Sequence, residues 1–269
     1  MSHWRIDPGV ARDLADVVGW DPGDGPVALT RALAARVPAG STAKLAAVAA
    51  GEVPPGADAE AVARRIVADR AAGRPEPSWA CWPRSTVMAA LLVTLAGAPA
   101  TVVALRRIDA SAPPVDLHSL VVVDGLLCDT YFASVVAGPG AEEVERTVGG
   151  VWCRRIDEPD GRWRLFVGNG RWGQTLDYRM LAPVVDPGDV AAFCAVSTAH
   201  TGLPTRPTAF VWRAADLVET ITHADGTTAT RSWTWDPADP RQGVVDQAEH
   251  PDWPAATDDF KARTGIPLL

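Results

Sequence analysis

Cys81 is the residue whose setting in the sequence most readily supports chemistry. It lies in Pro77-Ser-Trp-Ala-Cys81-Trp-Pro-Arg-Ser85, just ahead of a nearly all-apolar stretch that runs from Pro83 to Leu95 and meets Gly97. That stretch predicts a buried central helix with Cys81 at its entrance. Proline is tolerated in the first helical turn and not in the interior, so Pro83 fixes where the helix begins. At such a helix start the unpaired backbone N–H groups and the helix dipole favour a thiolate. The competing reading is a packed thiol, because free cysteine is among the most buried residue types.

A base and an acid to accompany the thiol stand on a hairpin further along. Leu117–Val123 and Leu126–Phe132 read as strands, with Asp124-Gly125 as a two-residue turn between them. Pairing back from Val123 opposite Leu126 sets Leu120 against Asp129 and His118 against Tyr131. Side chains alternate along a strand, so His118, Leu120, Asp129 and Tyr131 share a face. Asp129 is then the diagonal neighbour of His118, with alpha carbons at most ~8 Å apart, close enough for a carboxylate to orient an imidazole. Asp124 sits at the turn tip, roughly 20 Å along the strand, and Cys128 projects to the other face as a packed thiol. A purely structural polar pair would give the same His/Asp spacing.

These residues need a framework, and the chain is long enough to build it. With 269 residues and 47% hydrophobic content it can bury the core of one large domain or of closely packed lobes. The first third reads as helices at Val10–Val18, Pro26–Arg36, Thr42–Ala50 and Ala57–Arg70, with Ser41-Thr42 and Asp58 as N-caps and Gly51 and Gly73 as stops. From Ala100 the pattern turns to strands: Ala100–Arg106, the hairpin, Val151–Arg155 and Arg162–Val167. The last third predicts a helix at Asp186–Ser197, a strand at Thr208–Arg213, and a hairpin joining Asp216–His223 to Thr228–Trp235. A polar loop follows at Asp236–Pro254, then a short helix from Asp258 to Gly265. The expected fold is α+β: a helical lobe (residues 1–97), a central antiparallel β-barrel-like lobe (98–185) and a C-terminal α/β part (186–269).

Composition narrows the partners. A net charge of -8, with no run of Lys or Arg longer than two, argues against phosphate-neutralising nucleic-acid binding. No apolar run approaches the ~20 residues that span a bilayer and the first residues lack a signal sequence, so a cytoplasmic protein is expected. The four cysteines, Cys81, Cys128, Cys153 and Cys194, show neither metal-ligand nor disulfide spacing and are read as free thiols. No metal site is expected. The eleven tryptophans are read as packing or pocket walls.

The order Cys81, His118, Asp129, helix entrance followed by hairpin, resembles the arylamine N-acetyltransferases, whose Cys-His-Asp triad sits in a transglutaminase-like core. Asp58–Cys81 looks like that family's helix leading into its cysteine, and Val37-Pro38 resembles its "ipfEN" turn. His118-Ser-Leu-Val-Val-Val, followed by Leu127-Cys-Asp129-Thr-Tyr-Phe, is similar to "H-x-x-L-x-V … Y-L-V-D-V-G-F". Asp189–Ser197-Thr198 with Arg206-Pro-Thr-Ala-Phe resembles the family's Ser-Thr loop, and Phe260…Thr264-Gly265-Ile266 its closing helix. The likeness runs along nearly the whole chain and is most specific around the three residues.

The resemblance implies Cys81, His118 and Asp129 as catalytic residues and an acyl group, acetyl first of all, passed from a coenzyme A thioester to a small-molecule amine. It implies no bound cofactor. Trp79 and Trp82 flank the cysteine and read either as acceptor walls or as core packing, and Thr198 and Arg206 are implied as borders of the thioester entrance. The family pattern Arg-Gly-Gly-x-Cys-x-Glu-x-Asn departs here to Pro77-Ser-Trp-Ala-Cys81-Trp-Pro-Arg-Ser85, and its Phe-Glu-Asn turn to Ala39-Gly-Ser. Replacing both glycines is expected to reshape the cleft wall. Two rivals follow: an amide synthase that takes its acyl chain from a carrier protein or polyketide, and an inactive binding protein on the same fold.

Overall fold

The computed structural model describes residues 4–50, 52, 58–108, 117–137, 151–169, 174–184, 188–192, 208–212, 216–223, 225–236 and 239–268. Four helices precede the cysteine segment: α1 (Pro8–Val18), α2 (Gly25–Arg36), α3 (Thr42–Ala49) and α4 (Ala59–Ala71). Asp7 caps α1 through its side chain to Gly9 and Val10, and Asp58 caps α4 through Ala61. Ser41 precedes α3 without capping it; its hydroxyl instead accepts from the Phe210 amide.

The central helix α5 spans Cys81–Leu91, and every one of its residues is buried. It begins two residues before Pro83, which therefore occupies the third helical position, where a missing N–H costs nothing. A π-turn at Leu92–Ala96 carries the chain to Gly97, whose φ of 65 closes the helix. Leu14, Leu29, Leu33, Val62 and Ile66 of the other helices surround Met88 and Leu91, and Val102 and Val121 of the sheet close the far side. Each fully buried Leu or Met stabilises by about 1.5–3 kcal/mol, so the helix bearing Cys81 is held firmly from all sides.

Seven strands lying between Ala100 and Val184 form an antiparallel sheet in the order β5-β4-β3-β2-β8-β7-β6, with its end strands β5 and β6 lying against each other to give a nearly closed barrel. Its strands are β2 (Ala100–Arg107), β3 (Leu117–Val123), β4 (Leu126–Asp129), β5 (Ser134–Val136), β6 (Val151–Asp157), β7 (Trp163–Asn169) and β8 (Gln174–Val184). Leu105, Leu120, Leu127, Phe132 and Leu165 fill its interior. A second antiparallel sheet runs β1-β9-β10-β11-β12, joining β1 (Ala39–Gly40) to β9 (Thr208–Trp212), β10 (Asp216–Thr222), β11 (Thr228–Asp236) and β12 (Asp239–His250). The last helix, α6 (Trp253–Thr264), packs Phe260 onto this sheet and ends at Gly265.

Three expectations are corrected. The loop expected at Asp236–Pro254 is strand β12, which pairs with β11 from Thr228↔His250 to Trp235↔Gly243. β12 is an edge strand, where proline and charge are tolerated, so composition concealed it. Strand β8 was not foreseen at all. The strand expected over Leu126–Phe132 stops at Asp129 and turns back as β5. The helix expected at Asp186–Ser197 is described only over residues 188–192, which are helical. Gly51 lies outside the described residues.

Candidate active site

β3 and β4 meet through Asp124 and Gly125, whose φ values of 48 and 79 form a type I′ turn, and the ladder runs Val123↔Leu126, Val122↔Leu127, Val121↔Cys128. Beyond Cys128 the Asp129 carboxylate ends the pairing. Its Oδ1 accepts from the amides of Tyr131 at 2.9 Å and Phe132 at 3.1 Å, which folds Thr130–Ala133 into a turn with Ala133 at φ 54. Tyr131 is thus a ring neighbour of His118, at 5.7 Å in a T-shaped contact, and not its ladder partner.

The other carboxylate oxygen, Oδ2, lies 2.6 Å from His118 Nε2, so the histidine donates to the acid that the turn has already fixed. His118 is 3% exposed and Asp129 1%. Phe132 and Tyr178 pack on the imidazole with centroids at 5.0 and 5.2 Å. With Nε2 committed to Asp129, Nδ1 is left to face Cys81, which lies close enough to help raise the His118 pKa. Burial works against the imidazolium, but the Asp129 carboxylate and Cys81 outweigh it and raise the His118 pKa to about 10.

Cys81 occupies the first position of α5, and Ala80 supplies no side-chain cap to the amides there. The segment before it is clamped. Ser78 Oγ donates to the Phe210 carbonyl at 2.9 Å and accepts from the Thr42 amide, while the Ser78 amide donates to Thr42 Oγ1 at 2.7 Å. Trp79 N–H donates to the Pro38 carbonyl, and its own carbonyl accepts from Gly40. At Gly40, φ 153, an added Cβ would fall inside contact distance of the Phe210 carbonyl and Ser78 Oγ. Glycine on β1 thus makes room for Ser78 in the segment that leads into α5. On the far side, Ser119 Oγ donates to Ser85 Oγ at 3.1 Å, tying α5 to β3 next to His118.

Of the residues read from the sequence, Cys81, His118 and Asp129 come together. Trp79 and Trp82 are 3% and 1% exposed and pack in the core around α5, leaving little of either ring to face a small molecule. Thr198 and Arg206 lie outside the described residues. Cys128 is fully buried, and burial pushes its thiol up to about 11, against the lowering by the Thr30 hydroxyl. Among the described residues Cys81, Cys128 and Cys153 are free thiols, and no cluster of His, Cys, Asp and Glu is arranged to hold a metal. Among them too, no helix is long and apolar enough to cross a membrane. Two neighbours of the triad escaped the sequence reading. Tyr178 lies on the unforeseen β8, and Arg84, one turn beyond Cys81, carries the lone charge of an otherwise uncharged helix, a signal that was available.

No family model and no curated protein matches the sequence. Solved structures do match the fold. The chain superposes on the Mycobacterium smegmatis N-arylamine acetyltransferase with a TM-score of 0.66 at 18% identity, covering 98% of this chain and 93% of that one. It is similar to the M. tuberculosis arylamine-N-acetyltransferase (TM-score 0.59, 18% identity, 94% and 92% covered) and to the Nocardia farcinica arylamine N-acetyltransferase (0.61, 16%, 99% and 93%). The chain therefore has the arylamine N-acetyltransferase fold along nearly its whole length.

Proposed function

We propose that this protein is an acyltransferase that passes an acyl group, acetyl in the first instance, from a coenzyme A thioester to a small amine through an acyl-Cys81 intermediate. The observation that carries the reading is the buried 2.6 Å His118–Asp129 pair set beside a cysteine at a helix start. The likeness of fold to the arylamine N-acetyltransferases supports it.

His118 takes the thiol proton of Cys81, and the thiolate so formed is the nucleophile. The thiolate attacks the thioester carbonyl, and the Cys81 amide, uncapped at the helix start, donates to the oxyanion. Collapse expels the coenzyme A thiolate, which takes the proton from His118. Acylation removes the negative charge from Cys81 and with it one of the groups that held that proton, so His118 becomes the base for the second half. It accepts a proton from the amine as nitrogen attacks the acyl carbon, and the Cys81 thiolate departs. Asp129 holds the imidazole in one tautomer throughout.

A second reading keeps the triad and takes the acyl chain from a carrier protein, as an amide synthase would. The altered segment before Cys81, with Ser78 and Trp79 where the family pattern has two glycines, favours it. Initial rates measured over a grid of acyl-coenzyme A and arylamine or hydrazine concentrations test the main reading. Parallel double-reciprocal lines are expected for the two-step transfer; intersecting lines would contradict a free acyl-enzyme.

A further inference from the structure

Arg84 is 3% exposed and its guanidinium makes no ion pair among the described residues. Nη1 donates to the Val37 carbonyl, and Nη2 to the carbonyls of Leu33, at 3.4 Å, and Thr130. The Thr130 carbonyl belongs to the same peptide unit as the Tyr131 N–H that donates to Asp129 Oδ1. A closed ring of contacts results: Cys81, one turn of α5 to Arg84, the 130–131 peptide, Asp129, His118, and back to Cys81.

Carbonyl partners satisfy donors without neutralising a charge, and an isolated buried cation is costly. Burial pulls the Arg84 pKa down to about 10, and the titratable groups that face it, Asp129, Tyr131 and Cys81, act in their ionised forms to hold its proton. His118 lies across Asp129 from it, and Cys128 stays a neutral thiol. When Cys81 ionises, the pocket contains two anions, the thiolate and Asp129, against one imidazolium. Arg84 is the second cation that brings the buried cluster to neutrality.

Resting on the acyltransferase reading, we propose that Arg84 is a positioning residue for the cysteine chemistry: it clamps the turn that fixes Asp129 and supplies the charge that lets Cys81 ionise beside His118. The test is iodoacetamide labelling of Cys81, with loss of iodide, followed from about pH 5 to 10 in the whole chain and in Arg84→Gln and Arg84→Lys. In Arg84→Gln the midpoint of labelling is expected to rise by about one pH unit or more, because a nearby cation is lost. Arg84→Lys keeps the charge and is expected to recover at least half of that displacement, with Cys128 unlabelled in all three. A folded Arg84→Gln with the parent midpoint, or equal displacement in both variants, would overturn the proposal. Should Arg84→Gln not fold, Arg84→Lys decides by itself, since a rise of a full unit with the charge retained would also overturn it. A parent chain whose Cys81 does not label contradicts the acyltransferase reading itself, a result distinct from these.

Discussion

At the scale of single residues, His118 concentrates the physics of the site. Its pKa rises from 6.5 to about 10 on folding, because Asp129 and Cys81 more than offset burial. A group whose folded pKa is raised stabilises fully below the unfolded value and loses that contribution as pH climbs through the folded one. Between pH 6.5 and about 10 the unfolded chain has released the proton that the native chain keeps, so stability declines with rising pH. His118→Gln removes that proton from both states. Urea midpoints taken across this window are expected to fall more steeply with pH in the parent than in His118→Gln, and identical slopes would contradict the assignment. The window below pH 9 is the clean one, since Cys128, raised from 9.0 to about 11, adds its own decline above it.

At the scale of elements, the site depends on how the chain enters α5. Gly40 and Ser78 interlock, and Gly40→Ala would push Cβ into the Phe210 carbonyl and Ser78 at a backbone angle that side chains avoid. We expect a loss of about 1–3 kcal/mol by urea unfolding, as for overpacking elsewhere, and slower Cys81 labelling because the Ser78–Ala80 segment must move. Unchanged stability would show that the interlock is slack. Much of this level was legible in sequence. The all-apolar run and Pro83 gave the cysteine helix, and Asp124-Gly125 gave the hairpin register that brings His118 to Asp129. What escaped has physical reasons. Asp129 spends a carboxylate oxygen on two turn amides, a local competition that alternation along a strand does not reveal. β12 is an edge strand carrying Pro240 and Gly243, which read as loop. Arg84 stood out as the one charge in an apolar helix, but its role has meaning only once its partners, distant in sequence, are in place.

At the scale of the molecule, the fold exists to join three separate segments. The helical N-terminal part delivers Cys81, the barrel delivers His118 and Asp129, and the second sheet braces the Ser78 segment through Phe210. The shared arylamine N-acetyltransferase fold, at 16–18% identity, shows that this arrangement of elements survives extensive change of side chains. The departures from that family's pattern gather beside the cysteine, at Ser78, Trp79, Pro83 and Ser85, so on the acyltransferase reading the choice of donor and acceptor is where this chain is expected to differ. The most direct measurement is intact mass after incubation with acetyl-, propionyl- or malonyl-coenzyme A, with Cys81→Ala as control. The account predicts one added acyl group in the parent chain and none in Cys81→Ala. A folded parent chain that gains no acyl group from any of the three, or a Cys81→Ala chain that gains one, would contradict it.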